Sequence, residues 1–306
     1  MKLRPGATLA LILAAAGPVH AALHTVICEG LGGEPVYTGQ FAQQVAALKR
    51  AASGTGNNVQ LHALTGTACT RASMQSLMSQ LKSTLTADDR LSLYLVGHGS
   101  FDGDEYRFNV SGPDFTGHEL AAWLASLAAR DQLIVALGSS SGALQELLGN
   151  ASRVVITATR NGAERNYTRF AAQFVAALGD AAADTDKNGS VSAREAFDYA
   201  QRRVNDFYER EVRVVSEHAV LHGERANQWV VARFAAAAGN ASAAAAPESP
   251  ARAALVDSIE ALRLRKGDMP EDKYNEALEE LLLKLATLDA AAPAVPTPAP
   301  AGAGTP

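Results

Sequence analysis

From His24 to about Ala235 the chain alternates short apolar runs with longer segments whose apolar residues recur every three or four positions. That alternation predicts an α/β domain, a mostly parallel sheet with helices on both faces. "HTVICEG" (His24 to Gly30), "VQLHALT" (Val59 to Thr65) and "LSLYLVGHG" (Leu91 to Gly99) read as the first three strands, and "QLIVAL" and "RVVITAT" (Arg153 to Thr159) as later ones. The third has almost no polar residue, as a strand covered on both faces requires. Between them "GQFAQQVAALKRAA" places Phe41, Val45 and Leu48 on one helical face, and "SMQSLMSQLKSTL" does the same with Leu77, Leu81 and Leu85. "GHELAAWLASLAAR" predicts a third helix, opened by a capping box of Thr116 and Glu119. Helices from about Thr168 to Leu178 and from Ala193 to about Arg210 follow, and "NQWVVARF" adds a last strand or helix.

Beyond this domain (residues 22–235) the pattern changes. Residues 236–250 are rich in Ala, Gly, Asn, Ser and Pro and read as a linker. Residues 251–288 predict a helical hairpin, with Leu255, Ile259 and Leu262 on one helix and Tyr274, Leu278, Leu281, Leu282 and Leu285 on the other. Two short helices cannot bury such stripes alone, so the hairpin is expected to pack on the domain or on a second copy of the chain. Residues 289–306 form a Pro/Ala-rich tail for which disorder is the expectation.

The first 21 residues carry Lys2 and Arg4, an apolar stretch "ATLALILAAAG" and the small-residue end "VHA", the layout of a cleaved signal peptide. A membrane-spanning helix needs about 20 apolar residues, and Pro18 and His20 cut this one short. The expected protein is exported, periplasmic or secreted, with no membrane span after cleavage. The net charge of −5 becomes two units more acidic once Lys2 and Arg4 are removed. With no basic stripe, nucleic acid is excluded as a partner class. Export also gives Cys28 and Cys69, near the ends of the first two strands, an oxidising compartment in which to pair; the other reading is two unpaired thiols in the core.

The sharpest local motif is "DTDKNGSVSARE", residues 184–195. It fits the twelve-residue calcium loop of EF-hands, with Asp184, Asp186 and Asn188 at positions 1, 3 and 5 and Gly189 at the sharp turn. Ser190 supplies a carbonyl from position 7, Ser192 ligates through water from position 9, and Glu195 clamps from position 12. Crowded carboxylates repel one another unless a hard cation joins them, so a structural Ca²⁺ is expected. The other reading is an Asp/Asn/Gly turn that caps the following helix. "GDAAA" separates the preceding helix, so the motif is a loop plus one helix rather than a full EF-hand.

Candidate chemistry gathers at two strand ends. His98-Gly99 closes the third strand, and after one helix the next strand closes in Gly138-Ser139-Ser140-Ser141-Gly142. Ligand sites in open α/β sheets collect at the carboxyl ends of strands. The second turn also fits G-x-S-x-G, the nucleophile elbow of serine hydrolases.

In the order of "LYLVGHGS" and "ALGSSSGA" the chain resembles the caspase-like and legumain-like cysteine peptidases of the caspase–haemoglobinase fold (clan CD). In that family one strand ends in His-Gly and the next in a pattern close to Asp-Ala-Cys-x-Ser-Gly. The resemblance covers roughly Thr25 to Phe234 and extends to "DTDKNGSVSAREAFDYA" in bacterial members. It implies a peptidase fold with His98 as the catalytic histidine, and it puts Ser139 at the place of the cysteine nucleophile. A serine hydroxyl needs a well-oriented base where a thiolate does not. Cys28 and Cys69, near the first two strands rather than at the nucleophile position, cannot substitute. The resemblance therefore implies a pseudo-peptidase with a peptide-binding or scaffolding role.

The alternative is an active serine hydrolase using Ser139 or Ser140 with a histidine base. Asp198 or Asp206 and His218 or His222 would be the later partners, and His98-Gly99 would shape an oxyanion hole. Only one helix fits between Gly99 and Leu133, where an α/β-hydrolase needs a further strand and helix. His218 and His222 are also spaced as zinc ligands on a helix, but no Glu follows His218 as in HExxH. Asn109, Asn150, Asn166 and Asn240 begin N-x-S/T sequons.

Overall fold

The computed structural model describes residues 21–56, 58–234, 250–266 and 269–291. Most of the signal segment, nearly all of the linker with Asn240, and most of the tail lie outside the described residues. The central sheet has six strands: β1 (Leu23–Glu29), β2 (Val59–Leu64), β3 (Arg90–Val96), β7 (Asp131–Ala136), β8 (Arg153–Thr157) and β10 (Val220–His222). Their order is β10-β8-β7-β3-β1-β2, parallel throughout except for the antiparallel edge strand β10. Three short strands, β4 (Gly99–Phe101), β5 (Tyr106–Phe108) and β6 (Phe115–Thr116), make an antiparallel meander after β3. Two more, β9 (Ser190–Ser192) and β11 (Val230–Arg233), pair with each other.

Alternate residues of the central strands enter two cores. Ile27, Tyr94, Val96, Leu133, Val135 and Ile156 face α1 (Pro35–Ser53), α5 (Phe170–Ala177) and α6 (Ala193–Arg210). Val26, Cys28, Leu93, Leu95, Ile134 and Val155 face α2 (Arg71–Thr84), α3 (Gly117–Ala125) and α4 (Leu144–Leu148). Two-sided cover explains why β3, β7 and β8 are buried at every position.

Helix limits follow local chemistry. α1 begins at Pro35, earlier than the Gly39 expected, because proline at the first helical position needs no N–H partner. The capping box at α3 is present, Thr116 and Glu119 each accepting the other's backbone N–H, but α3 ends at Ala125, short of Arg130. Cys28 and Cys69, both fully buried, are bonded to each other across 41 residues, tying β1 to the segment before α2.

The C-terminal segment forms α7 (Pro250–Leu264) and α8 (Glu271–Ala291), clasped by an Arg252–Asp289 ion pair. Arg265 pairs with Asp88 of the α/β domain. Tyr274 is buried, whereas Leu282, expected on the inward stripe, is exposed with Leu283. Among the described residues no helix is long and apolar enough to cross a membrane.

At the amino end of the sheet His24 of β1 and His62 of β2 stack with ring planes 8° apart, and Nδ1 of one lies 3.2 Å from Nε2 of the other. Partial burial lowers both pKa values; for His24 Asp89 opposes this, and for His62 the neighbouring His24 adds to it. The unfolded chain therefore binds protons at higher pH than the folded one. The stability this pair supports is complete above about pH 6.5 and declines as pH falls below that. Urea midpoints measured at about pH 7.5 and 5.5 are expected to drop on acidification, and His62→Gln is expected to reduce the drop.

Candidate functional site

The carboxyl ends of β3 and β7 run side by side. The Leu137 N–H donates to the Leu95 carbonyl (2.9 Å), continuing the ladder past β7. At the next step there is room for backbone alone. A Cβ on Gly138 would lie 2.3 Å from the Gly97 carbonyl oxygen, and one on Gly99 would lie 2.7 Å from that of Ser139. The structure thus brings the His98-Gly99 turn and the Ser139 turn together.

His98 has its ring in an aromatic setting. Its centroid is 5.0 Å from those of Tyr37 and Phe41 and 6.5 Å from that of Tyr167, at steep angles to each. Its carbonyl accepts the Asn109 N–H (3.0 Å). Among the described residues neither the His98 ring nor the Ser139 hydroxyl has a hydrogen-bond partner.

The three serines differ. Ser139 is 5% exposed. Ser140 is fully buried in the left-handed region (φ 56°), and its hydroxyl has no partner. Such a backbone costs a non-glycine residue about 1–2 kcal/mol, and the Ser140 N–H donates to the Glu164 carbonyl (2.8 Å) to hold it. The Ser141 hydroxyl accepts the Ala158 N–H (3.0 Å), and the Gly142 N–H donates to Thr159 Oγ1 (2.8 Å). This turn is lashed to the loop after β8 by groups that serve the backbone.

The histidines proposed as later partners diverge. His222 is in β10, beside Gly149 at the amino end of the sheet, the opposite margin from Ser140. With His222 in a strand, the helical i, i+4 zinc arrangement with His218 is absent. His218 lies by the serine turn, its Nδ1 2.6 Å from Glu164 Oε1 and its N–H on Glu164 Oε2. Burial raises the Glu164 pKa, but the bonds from the Arg160 N–H and His218 outweigh it and leave it lowered. Glu164 was not legible as a partner, being 54 residues from His218 in a loop without periodicity. Asp198 instead faces Arg194 along α6.

In the acidic loop, carboxylate oxygens of Asp184, Asp186 and Glu195 lie within 4.8 Å of one another. Asp184 accepts the Asn188 and Gly189 N–H groups, and Asn188 Oδ1 accepts that of Ser190. Lys187 (φ 59°) and Gly189 (φ 83°) turn the chain. Glu195 accepts from Thr185 on one oxygen and from Ser192 on the other, forming the capping box of α6. Burial raises the Glu195 pKa, and these bonds outweigh it and lower it overall. An all-oxygen donor set of this kind suits a hard cation of Ca²⁺ size.

No family model and no curated protein matches the chain. Among solved structures it is similar to protein GSU0716 from Geobacter sulfurreducens, 11% identical, with a TM-score of 0.44 over 70% of this chain and 99% of that one. It is also similar to the Drosophila initiator caspase Dronc, 11% identical, with a TM-score of 0.35 over 59% of this chain and 70% of that one.

The contact between the two turns is directly testable. Gly138→Ala is expected to cost about 3 kcal/mol in urea unfolding, because backbone flanks the new methyl. Gly179→Ala, which meets nothing within 4 Å, is expected to stay within about 0.5 kcal/mol of the parent.

Proposed function

We propose that the chain is a catalytically silent relative of the caspase-like and legumain-like peptidases, acting outside the cytoplasm by binding peptide or protein rather than cleaving it. The observation that carries this reading is the placement of His98-Gly99 and Ser139 just past the carboxyl ends of adjoining parallel strands, with no base bonded to the serine among the described residues. The disulfide fits an oxidising compartment. A serine in place of a thiolate lacks the intrinsic nucleophilicity that such a loosely arranged pair relies on.

A fluorophosphonate probe tests the point on the mature chain. Wild type is expected to label no more than Ser139→Ala or Ser140→Ala, while Ser139→Cys is expected to be alkylated by iodoacetamide faster than free cysteine. Labelling of wild type that is lost in one serine variant would instead identify an active serine hydrolase and name its nucleophile.

We also propose that residues 184–195 bind a structural Ca²⁺. Asp184, Asp186, Asn188 and Glu195 would supply side-chain oxygens, Ser190 its carbonyl, and Ser192 a water-mediated contact; the ion would neutralise the crowded carboxylates. Calcium at a hundred times its Kd contributes about 2.7 kcal/mol, which for a domain of this size raises Tm by about 5–10 °C. The expected outcome is a rise of that order in calcium over chelator, and its loss in Asp184→Asn with Glu195→Gln. An unchanged Tm would refute the site.

A further inference from the structure

At the amino end of the sheet, β1 is held in place from its first residues. The Ala22 carbonyl accepts the Arg90 N–H (2.8 Å), and the Leu23 N–H donates to the Asn58 carbonyl (3.0 Å), so the neighbours on both sides clasp the strand where it begins. The Ala22 nitrogen itself donates to Asp89 Oδ1 at 2.7 Å. Asp89 Oδ2 accepts the Thr86 N–H (2.7 Å) and the Thr86 hydroxyl (2.8 Å), so the turn before β3 aims this carboxylate at Ala22.

Asp89 is the anomaly. It is 6% exposed, yet among the described residues no lysine or arginine pairs with it. Its neighbour Asp88 takes Arg265. The nearby titratable group is His24, and burial lowers the pKa of that ring and leaves it neutral at pH 7. Burial raises the Asp89 pKa, but the bonds from Ala22 and Thr86 outweigh it and keep the group ionised. A buried carboxylate is rarely left without a cation. The nitrogen that Asp89 already touches can become one, since the small-residue end "VHA" puts the cleavage point between Ala21 and Ala22.

We propose that Asp89, oriented by Thr86, is the receiving site for the chain's own new amino terminus, the α-ammonium of Ala22 left by removal of the signal segment. This rests on the reading of the chain as exported. Hydrolysis of the Ala21–Ala22 bond by a signal peptidase adds the hydroxyl of water to the Ala21 carbonyl carbon and a proton to the Ala22 nitrogen. The amine then takes a second proton from solvent at neutral pH. An amide with one proton to donate becomes a cation with three, and a charge-assisted bond to a carboxylate is about twice as strong as a neutral one. Cleavage one residue to either side would move the ammonium off its partner, because successive residues of a strand are about 3.3 Å apart and face opposite ways. At the other end of the same strand Cys28 is bonded to Cys69. β1 lies between β2 and β3, and both of these ties become available only on export. One needs an oxidising compartment, and the other needs the signal segment gone. The precursor therefore reaches its complete stability only after crossing the membrane.

Export and pairing are tested separately. Amino-terminal sequencing of the chain secreted by a bacterial host is expected to read Ala-Leu-His. A different start would overturn the proposal, and a retained signal segment would overturn the export reading with it. Pairing is read from the melting of full chains freed from a cleavable fusion, one beginning at Ala22 and one at Val19, in which the same nitrogen stays an amide. The Val19 chain is expected to melt about 3–6 °C below the Ala22 chain. Asp89→Asn in both chains is expected to reduce that gap to about 1 °C or less, whereas an effect of chain length alone would leave it unchanged. An Ala22 chain acetylated at its amino terminus keeps the N–H and loses the charge. It is expected to melt with the Val19 chain, and it decides the matter if Asp89→Asn does not fold. Equal melting of the Ala22 and Val19 chains, a gap that survives Asp89→Asn, or an acetylated chain as stable as the free one would overturn the pairing and leave the export reading intact.

Discussion

The contact between Gly97 and Gly138 governs the carboxyl margin of this protein. Two parallel strands continue past their formal ends until carbonyl and α-carbon meet with no space for a side chain. The same economy recurs where Gly142 lies against the Arg160–Asn161 backbone. Stacked this closely, the turns leave His98 the space beside α1, among Tyr37 and Phe41. They leave Ser140 sealed beneath the Glu164 loop. The surroundings of the candidate residues are thus a consequence of backbone packing rather than of any bond between them.

The two apolar layers supply the bulk stability, and a few long-range polar ties set their alignment. Trp229, fully buried, donates its indole N–H to Ser92 of β3, joining sequence positions 137 residues apart. Glu217 accepts the Phe170 N–H and the Tyr208 hydroxyl, anchoring the start of α5 to the end of α6. Each tie satisfies a polar group that would otherwise be buried at a cost.

Of the parallel strands, β1, β3, β7 and β8 were legible because each holds a continuous apolar run and the edge strand β2 because it alternates, and α6 was legible to its end residues because its stripe is long and its cap is a Ser-x-x-Glu box. The meander β4–β6 was not legible, since strands of two or three residues carry no alternation to read. Leu282 satisfies the helical period yet is exposed, because period identifies a face without saying how much of it a partner covers. At the candidate site, local motifs located both turns and the acidic loop. The Glu164–His218 pair depends on how distant segments meet, and no local pattern encodes that.

The acidic loop does more than hold its own turn. Its residues Ser190–Ser192 are β9, paired with β11, and the Phe234 N–H donates to the Gly189 carbonyl (2.9 Å) at the end of the α/β domain. The departure point of everything beyond residue 234 is therefore bolted to the loop itself. How firmly those carboxylates are held is thus relayed, through one backbone hydrogen bond, to Phe234 at the far end of the domain's sequence.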